Sequence, residues 1–134
     1  MKEKIKTKNI RQSVNFKAEP HYVYEALMDS KKHSQFTKAP ARISRKVGGK
    51  FTAYGDWIEG KNLKLVKDKK IVQKWRGKDW PKGHYSETTF ELKPHKNGTL
   101  LVFTQKGVPT EHYKGINSGW KEHYWVKMRK MLER

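Results

Sequence analysis

The sequence predicts an α+β fold, a curved antiparallel sheet wrapped around one long C-terminal helix, with two short helices after the first strand. Three observations predict it. From residue 41 to about residue 107 the chain reads as short extended runs separated by glycine-containing turns, so the strands are joined by hairpins and must be largely antiparallel. After Gly107-Val108-Pro109 the apolar period changes. Tyr113, Ile116, Trp120, Tyr124, Lys127 and Met131 recur at steps of three and four, with Met128 and Leu132 beside them. That is an amphipathic helix of about 20 residues and roughly 30 Å, the only element long enough to cover the apolar face of the sheet.

The elements follow in order. In residues 10–16, Ile10, Val14 and Phe16 share one face of a strand, and Ile5 falls out of phase with them, which predicts a bulge or a frayed start. Pro20 suits the first turn of a helix, and Val23, Ala26 and Leu27 continue it to about residue 29. Residues 31–37 form a second short helical stretch ending before Pro40. ARISRKV leads into Gly48-Gly49, read as a tight hairpin, and KFTAYGDW, KNLKLV and KKIVQKWR follow as strands. Trp80-Pro81-Lys82-Gly83 is a turn. Beyond it His84, Ser86, Thr88, Phe90 and Leu92 alternate against Tyr85, Glu87, Thr89 and Glu91. Asn97-Gly98 is a hairpin dipeptide, so 85–93 and 99–106 are expected to be antiparallel neighbours.

The 134 residues are read as one domain, 1–134, without repeats, low-complexity segments or linkers. The chain has no cysteine, which excludes disulfides, thiolate metal sites and a cysteine nucleophile. No apolar run approaches the ~20 residues of a membrane span. The start, MKEKIKTKNIRQSVNF, has no apolar core of a signal peptide, and the expected location is cytoplasmic. The net charge is +18, from 31 Lys+Arg against 13 Asp+Glu. Residues 1–67 hold 16 basic and 6 acidic groups, and residues 68–134 hold 15 and 7, so the excess is spread along the chain. Its longest clusters are Lys67–Lys70, interrupted by Asp68, and the tail Lys127, Arg129, Lys130 and Arg134. Such a surface is either simply solvated or draws an anionic partner.

No catalytic constellation emerges. Glu87 and Glu91 share a strand face opposite Phe90 and Leu92 and should meet solvent, and no carboxylate pairs with a histidine at a mechanistic spacing. The six histidines show no HxxxH, HExxH or HxH arrangement, so no metal or other cofactor is expected. His84 shares the inward face of its strand with Ser86 and Thr88. Either these groups line a cavity, or His84 caps the 80–83 turn and the hydroxyls bond backbone. Trp75 shares phase with Ile71. Trp120 lies on the inner line of the last helix beside Gly115, Ser118 and Gly119, small residues that either permit close helix–sheet contact or leave space. Trp57, Trp80 and Trp125 could be exposed but share no strand face, so stacking on nucleic acid is not expected.

Four segments carry a resemblance: SQFTKAPARISRKVGGKF (34–51), KWRGKDWPKGHYSETTFEL (74–92), NGTLLVFTQKGVP (97–109) and INSGWKEHYWVKMRKML (116–132). In order and in one register they resemble the C-terminal domain of the activator of Hsp90 ATPase. That family belongs to the helix-grip superfamily with START lipid-transfer domains and plant allergen-type ligand carriers. The resemblance implies a helix-grip fold enclosing a cavity. The eukaryotic activator also has an N-terminal domain that makes its main chaperone contact, for which this chain has no room, so the resemblance implies the fold more strongly than the activity.

The leading expectation is a non-enzymatic domain binding a hydrophobic small molecule between sheet and C-terminal helix, near Trp75, His84, Ser86, Thr88, Phe103, Trp120 and Tyr124. The alternative is a co-chaperone or protein-interaction module that meets an Hsp90-type or other acidic partner through its basic surface.

Overall fold

The computed structural model describes residues 5–133; the first four residues of the charged start, and Arg134 of the basic tail, lie outside the described residues. Strands β1 (Thr7–Phe16), β2 (Arg42–Ile43), β3 (Lys50–Ala53), β4 (Ile58–Val66), β5 (Lys70–Gly77), β6 (Ser86–His95) and β7 (Gly98–Pro109) form one sheet. Its order is β1-β7-β6-β5-β4-β3-β2, and every neighbouring pair is antiparallel. Register shifts at Lys8/Ile10 and at Asn62/Lys64 are bulges that bend the sheet, and the first accounts for the phase break at Ile5. Helices α1 (Pro20–Met28) and α2 (Ser30–Thr37) follow β1, with Pro20 in the first turn of α1. The C-terminal helix lies across the concave face, completing the helix-grip fold. No helix among the described residues is long and apolar enough to cross a membrane.

The inward phase of β6 is as the alternation requires: Ser86, Thr88, Phe90 and Leu92 are buried. Glu87 on the other face is exposed. Two turns differ from the sequence reading. Gly48-Gly49 does not close a tight hairpin, because β2 is only two residues long and residues 44–49 form a loop. That loop is fastened by Asn62, whose Nδ2 donates to the carbonyls of Ser44 (2.7 Å) and Lys46 (3.0 Å). In the β6–β7 hairpin the central residues are Lys96 and Asn97, both at positive φ, while Gly98 already pairs with His95. Gly98 is required for another reason. A Cβ there would sit 2.1 Å from the carbonyl oxygen of Phe16 at the end of β1. Gly98→Ala should therefore destabilise the fold by roughly 1–3 kcal/mol, read as a lower urea midpoint. An unchanged midpoint would contradict this close approach.

The C-terminal helix is not uniform. A 3₁₀ turn (Thr110–His112) leads into an α-helical section (Tyr113–Trp120), a π-helical turn (Lys121–Trp125) and a second α-helical section (Val126–Leu132). The π turn ends with the Val126 N–H donating to the carbonyl of Lys121. One extra residue in a turn rotates the apolar stripe by about 100°. The stripe therefore passes from Ile116, Trp120 and Tyr124 to Trp125 and Met128, all buried. Lys127 and Met131, expected on the inner line, are only half-buried. Of the three tryptophans read as exposable, Trp57 is 38% exposed, but Trp80 and Trp125 are buried.

Candidate functional site

The seven residues expected around a cavity divide into two groups. Four belong to the hydrogen-bonded or packed interior. Ser86 Oγ donates to the Trp75 carbonyl (2.8 Å), and Thr88 Oγ1 donates to the Gln73 carbonyl (3.3 Å), so both hydroxyls bond backbone. His84 Nε2 donates to the Gly107 carbonyl (2.8 Å), tying the segment before β6 to β7, while its backbone N–H donates to the Pro81 carbonyl (3.0 Å) and closes the turn. Phe103 is fully buried, with its ring centroid 4.4 Å from that of Trp120.

The other three, Trp75, Trp120 and Tyr124, line an open cleft of about 490 Å³ beside the first half of the C-terminal helix. Its lining also includes Tyr54 and Trp57 from the turn after β3, Ile58 at the start of β4, and the polar groups Asp79, Glu111 and His112, of which Asp79 and Glu111 are exposed. Directly under the helix, by contrast, only about 20 Å³ is free, so the core there is closed. Trp120 stands at the divide. Its Nε1 donates to Gln105 Oε1 (2.7 Å), Gln105 Nε2 donates to Ser86 Oγ (2.9 Å), and Ser86 passes the chain on to Trp75. Each link answers a buried polar group, which fixes the indole between core and cleft.

Gly115 and Gly119 also line the cleft. A Cβ added at Gly115 would meet nothing within 4 Å, and one at Gly119 would meet only the His123 ring at 3.7 Å. These helical glycines leave space; they do not bring the helix onto the sheet. Each costs about 1 kcal/mol of helix propensity relative to alanine. Gly77 of β5 does the reverse. A Cβ there would lie 3.0–3.2 Å from the rings of Trp57 and Trp80, so the bare glycine lets both indoles close over the strand.

At the inner end, Tyr124 meets α2. His33 Nδ1 donates to the Leu27 carbonyl (3.2 Å), which leaves Nε2 to accept from the Tyr124 hydroxyl (3.0 Å). Burial pushes the His33 pKa down to about 4, against the weaker opposing effect of its bond to Leu27. Burial raises that of Tyr124, with Tyr54 adding a smaller push. Tyr54, raised by burial to about 12, donates its hydroxyl to the His123 carbonyl (2.7 Å), anchoring the far wall of the cleft to the π turn. Among the described residues no group of three or more His, Asp or Glu side chains could hold a metal ion.

A second feature lies on the outer face of the sheet. Lys50 pairs across strands with Lys61, and Lys61 with Lys74, before Glu87 and Lys106 continue the row. Like charges directly opposite one another weaken a sheet. Among the described residues none of the three lysines forms an ion pair. They border a shallow depression of about 220 Å³ with Thr52, Glu59 and Tyr85. The sequence showed lysines at strand positions, but only the register sets three of them side by side.

Residues 17–133 match the family described as "Activator of Hsp90 ATPase homolog 1-like protein". The chain is 31% identical over 122 residues to the human activator of 90 kDa heat shock protein ATPase homolog 1, covering 91% of this chain and 36% of that protein. It thus spans about a third of the length of the curated relatives it matches. A Plasmodium falciparum protein described as an HSP90 activator superposes with a TM-score of 0.88 at 25% identity, covering 93% of this chain and 96% of that one. The Aha1 dimer of Colwellia psychrerythraea, at 22% identity and a TM-score of 0.81, shares the fold over 93% of this chain and 96% of its own. With the match running from the end of β1 through the other six strands and the final helix, the chain belongs to the activator of Hsp90 ATPase homolog 1-like family.

Proposed function

We propose that this domain is a non-enzymatic co-chaperone module that docks on an acidic surface of an Hsp90-type chaperone through the outer face of its sheet. The observation that carries the reading is the row Lys50, Lys61 and Lys74, three adjacent cations that form no ion pair among the described residues, although Glu59 borders the same depression and Glu87 lies opposite Lys74. Such a row lowers the stability of the sheet, and an acidic partner would offset that cost. The family supports the choice of partner. The Plasmodium falciparum relative is described as an HSP90 activator over a chain of which this fold covers 96%.

The test is titration into a purified Hsp90-type chaperone, with its ATPase rate followed in parallel. Binding should weaken steeply between about 50 mM and about 300 mM salt. K50E/K61E/K74E should weaken it at least about tenfold, mainly through a slower association. No binding at low salt, or a triple variant that binds like the wild type, would sink the proposal.

A second reading concerns the cleft, and the open space at Gly115 and Gly119 favours it. We infer that the cleft admits an apolar small molecule against Trp75, Trp120 and Tyr124. The two readings use opposite faces of the sheet and can both hold.

A further inference from the structure

The cleft has an electrostatic character opposite to that of the whole protein. The chain carries 31 Lys+Arg and 13 Asp+Glu. Yet the cleft lining includes two carboxylates, Asp79 and Glu111, and neither a lysine nor an arginine. Its lining is rich in aromatic rings, Tyr54, Trp57, Trp75, Trp120 and Tyr124, with Tyr54 edge-on to Tyr124 and Trp57 edge-on to Trp75. An aromatic face carries negative potential and holds a cation at about 6 Å from the ring centroid. The chain already uses one wall in that way, since Lys127 Nζ lies 5.9 Å from the centroid of the Tyr54 ring.

The other charged groups nearby do not reverse this. His112 Nδ1 lies 3.9 Å from Asp79 Oδ2, and the His112 ring stacks on Trp80. His123 turns edge-on to Tyr54. Lys78 is held by Asp56 at 3.2 Å. Glu111 is exposed, and the Asp79 side chain is 60% exposed even beside His112, so both carboxylates are available at the mouth.

From the aromatic walls, the open volume and the charge inversion together, we propose that the cleft selects a cationic aromatic ligand, an aryl-alkylamine. Its ring would insert between Trp57 and Trp120, and its ammonium would sit at the mouth against Asp79 and Glu111. A neutral aromatic would gain the ring contacts alone. An anionic one would be drawn to the protein by its +18 charge but repelled at the cleft itself. The inference rests on the reading of the cleft as a ligand site and adds the chemical class of what it takes.

Three probes of one ring system separate the two ideas: indole, tryptamine and indole-3-acetate, followed by chemical-shift changes at the Trp57 and Trp120 indole N–H groups and by calorimetric titration. Tryptamine should bind about fivefold or more tighter than indole, as expected for one or two exposed charge contacts, and indole-3-acetate should bind more weakly than indole. D79N/E111Q, at exposed positions, should bring tryptamine within about twofold of indole without changing indole itself. Equal affinities for all three, or a preference for indole-3-acetate, would overturn the charge selection while leaving the cleft a ligand site. Absence of any shift at Trp57 and Trp120 with all three probes would overturn both.

Discussion

Trp120→Ala should remove about 3–5 kcal/mol of stability, the largest loss expected from any single truncation in this chain. The indole is 3% exposed, and its ring centroid lies 4.4–5.8 Å from those of Phe103, Tyr124, Trp125, Trp75 and Phe90. Truncation would open a void where the closed core meets the cleft, a boundary Trp120 shares with Trp75 and Tyr124, so water could enter from the cleft side. It would also leave Gln105 Oε1 without its donor inside a side chain that is fully buried. Trp120→Phe separates the two effects. It keeps one ring of the packing, removes part of the indole volume and loses the N–H, so it should cost about 1–3 kcal/mol, less than the full truncation, with the unanswered buried acceptor as part of the penalty. Urea unfolding of both variants checks the pair of values at constant m. A Trp120→Ala loss below about 1 kcal/mol would mean that the surroundings collapse into the space, and that Trp120 does not separate core from cleft.

Why Trp120 was visible in the sequence, and much around it was not, follows from the kind of signal each residue leaves. Helical periodicity marked Ile116, Trp120 and Tyr124 as inward, and strand alternation marked Ser86, Thr88, Phe90 and Leu92. Both rest on local geometry, so the element order and the inner faces were legible. The π turn was not, because its cause is tertiary. Trp125 is pulled onto the sheet, where its Nε1 meets Gln12 Oε1 (2.7 Å) from a strand more than a hundred residues away. Periodicity at 3.6 residues carries on through Lys127 instead. For the same reason Gln12, Gln105 and His33 were missed: each is a polar residue, half-buried at Gln12 and buried at the other two, that accepts from a distant donor, and a single sequence shows no trace of such pairing. The cleft was placed one step too deep. Ser86 and Thr88 point inward as expected, but their hydroxyls bond the neighbouring strand, and the open space lies beside the helix, where Gly115 and Gly119 carry no side chain. Those glycines were the usable signal, and the structure decides between their two readings in favour of space.

His33 makes stability depend on pH in a defined window. Its Nδ1–H is committed to the Leu27 carbonyl, and its Nε2 accepts from Tyr124, so the folded site holds the neutral ring. Protonation would leave two N–H donors, one of them facing a hydroxyl that already donates, at a side chain only 5% exposed as a residue. The folded pKa is about 4, against 6.5 for the unfolded chain. Above pH ~7 neither state binds the proton and stability is flat with respect to this group. As the pH falls below about 6.5, the unfolded chain takes up a proton that the folded one refuses, and stability drops until the folded pKa is passed. The full loss is about 3 kcal/mol, most of it between pH ~6.5 and pH ~4. Carboxylates titrate mainly at the lower end of that range, so the interval from about pH 6.5 to about pH 5 reports histidine titration, and comparison with a His33 variant singles out this ring among the six histidines. His33→Gln should start from a lower stability at pH 7 and lose the slope in that interval. A wild-type curve that stays level down to pH ~5, or a His33→Gln variant with an unchanged slope, would show that the ring takes its proton in the folded state.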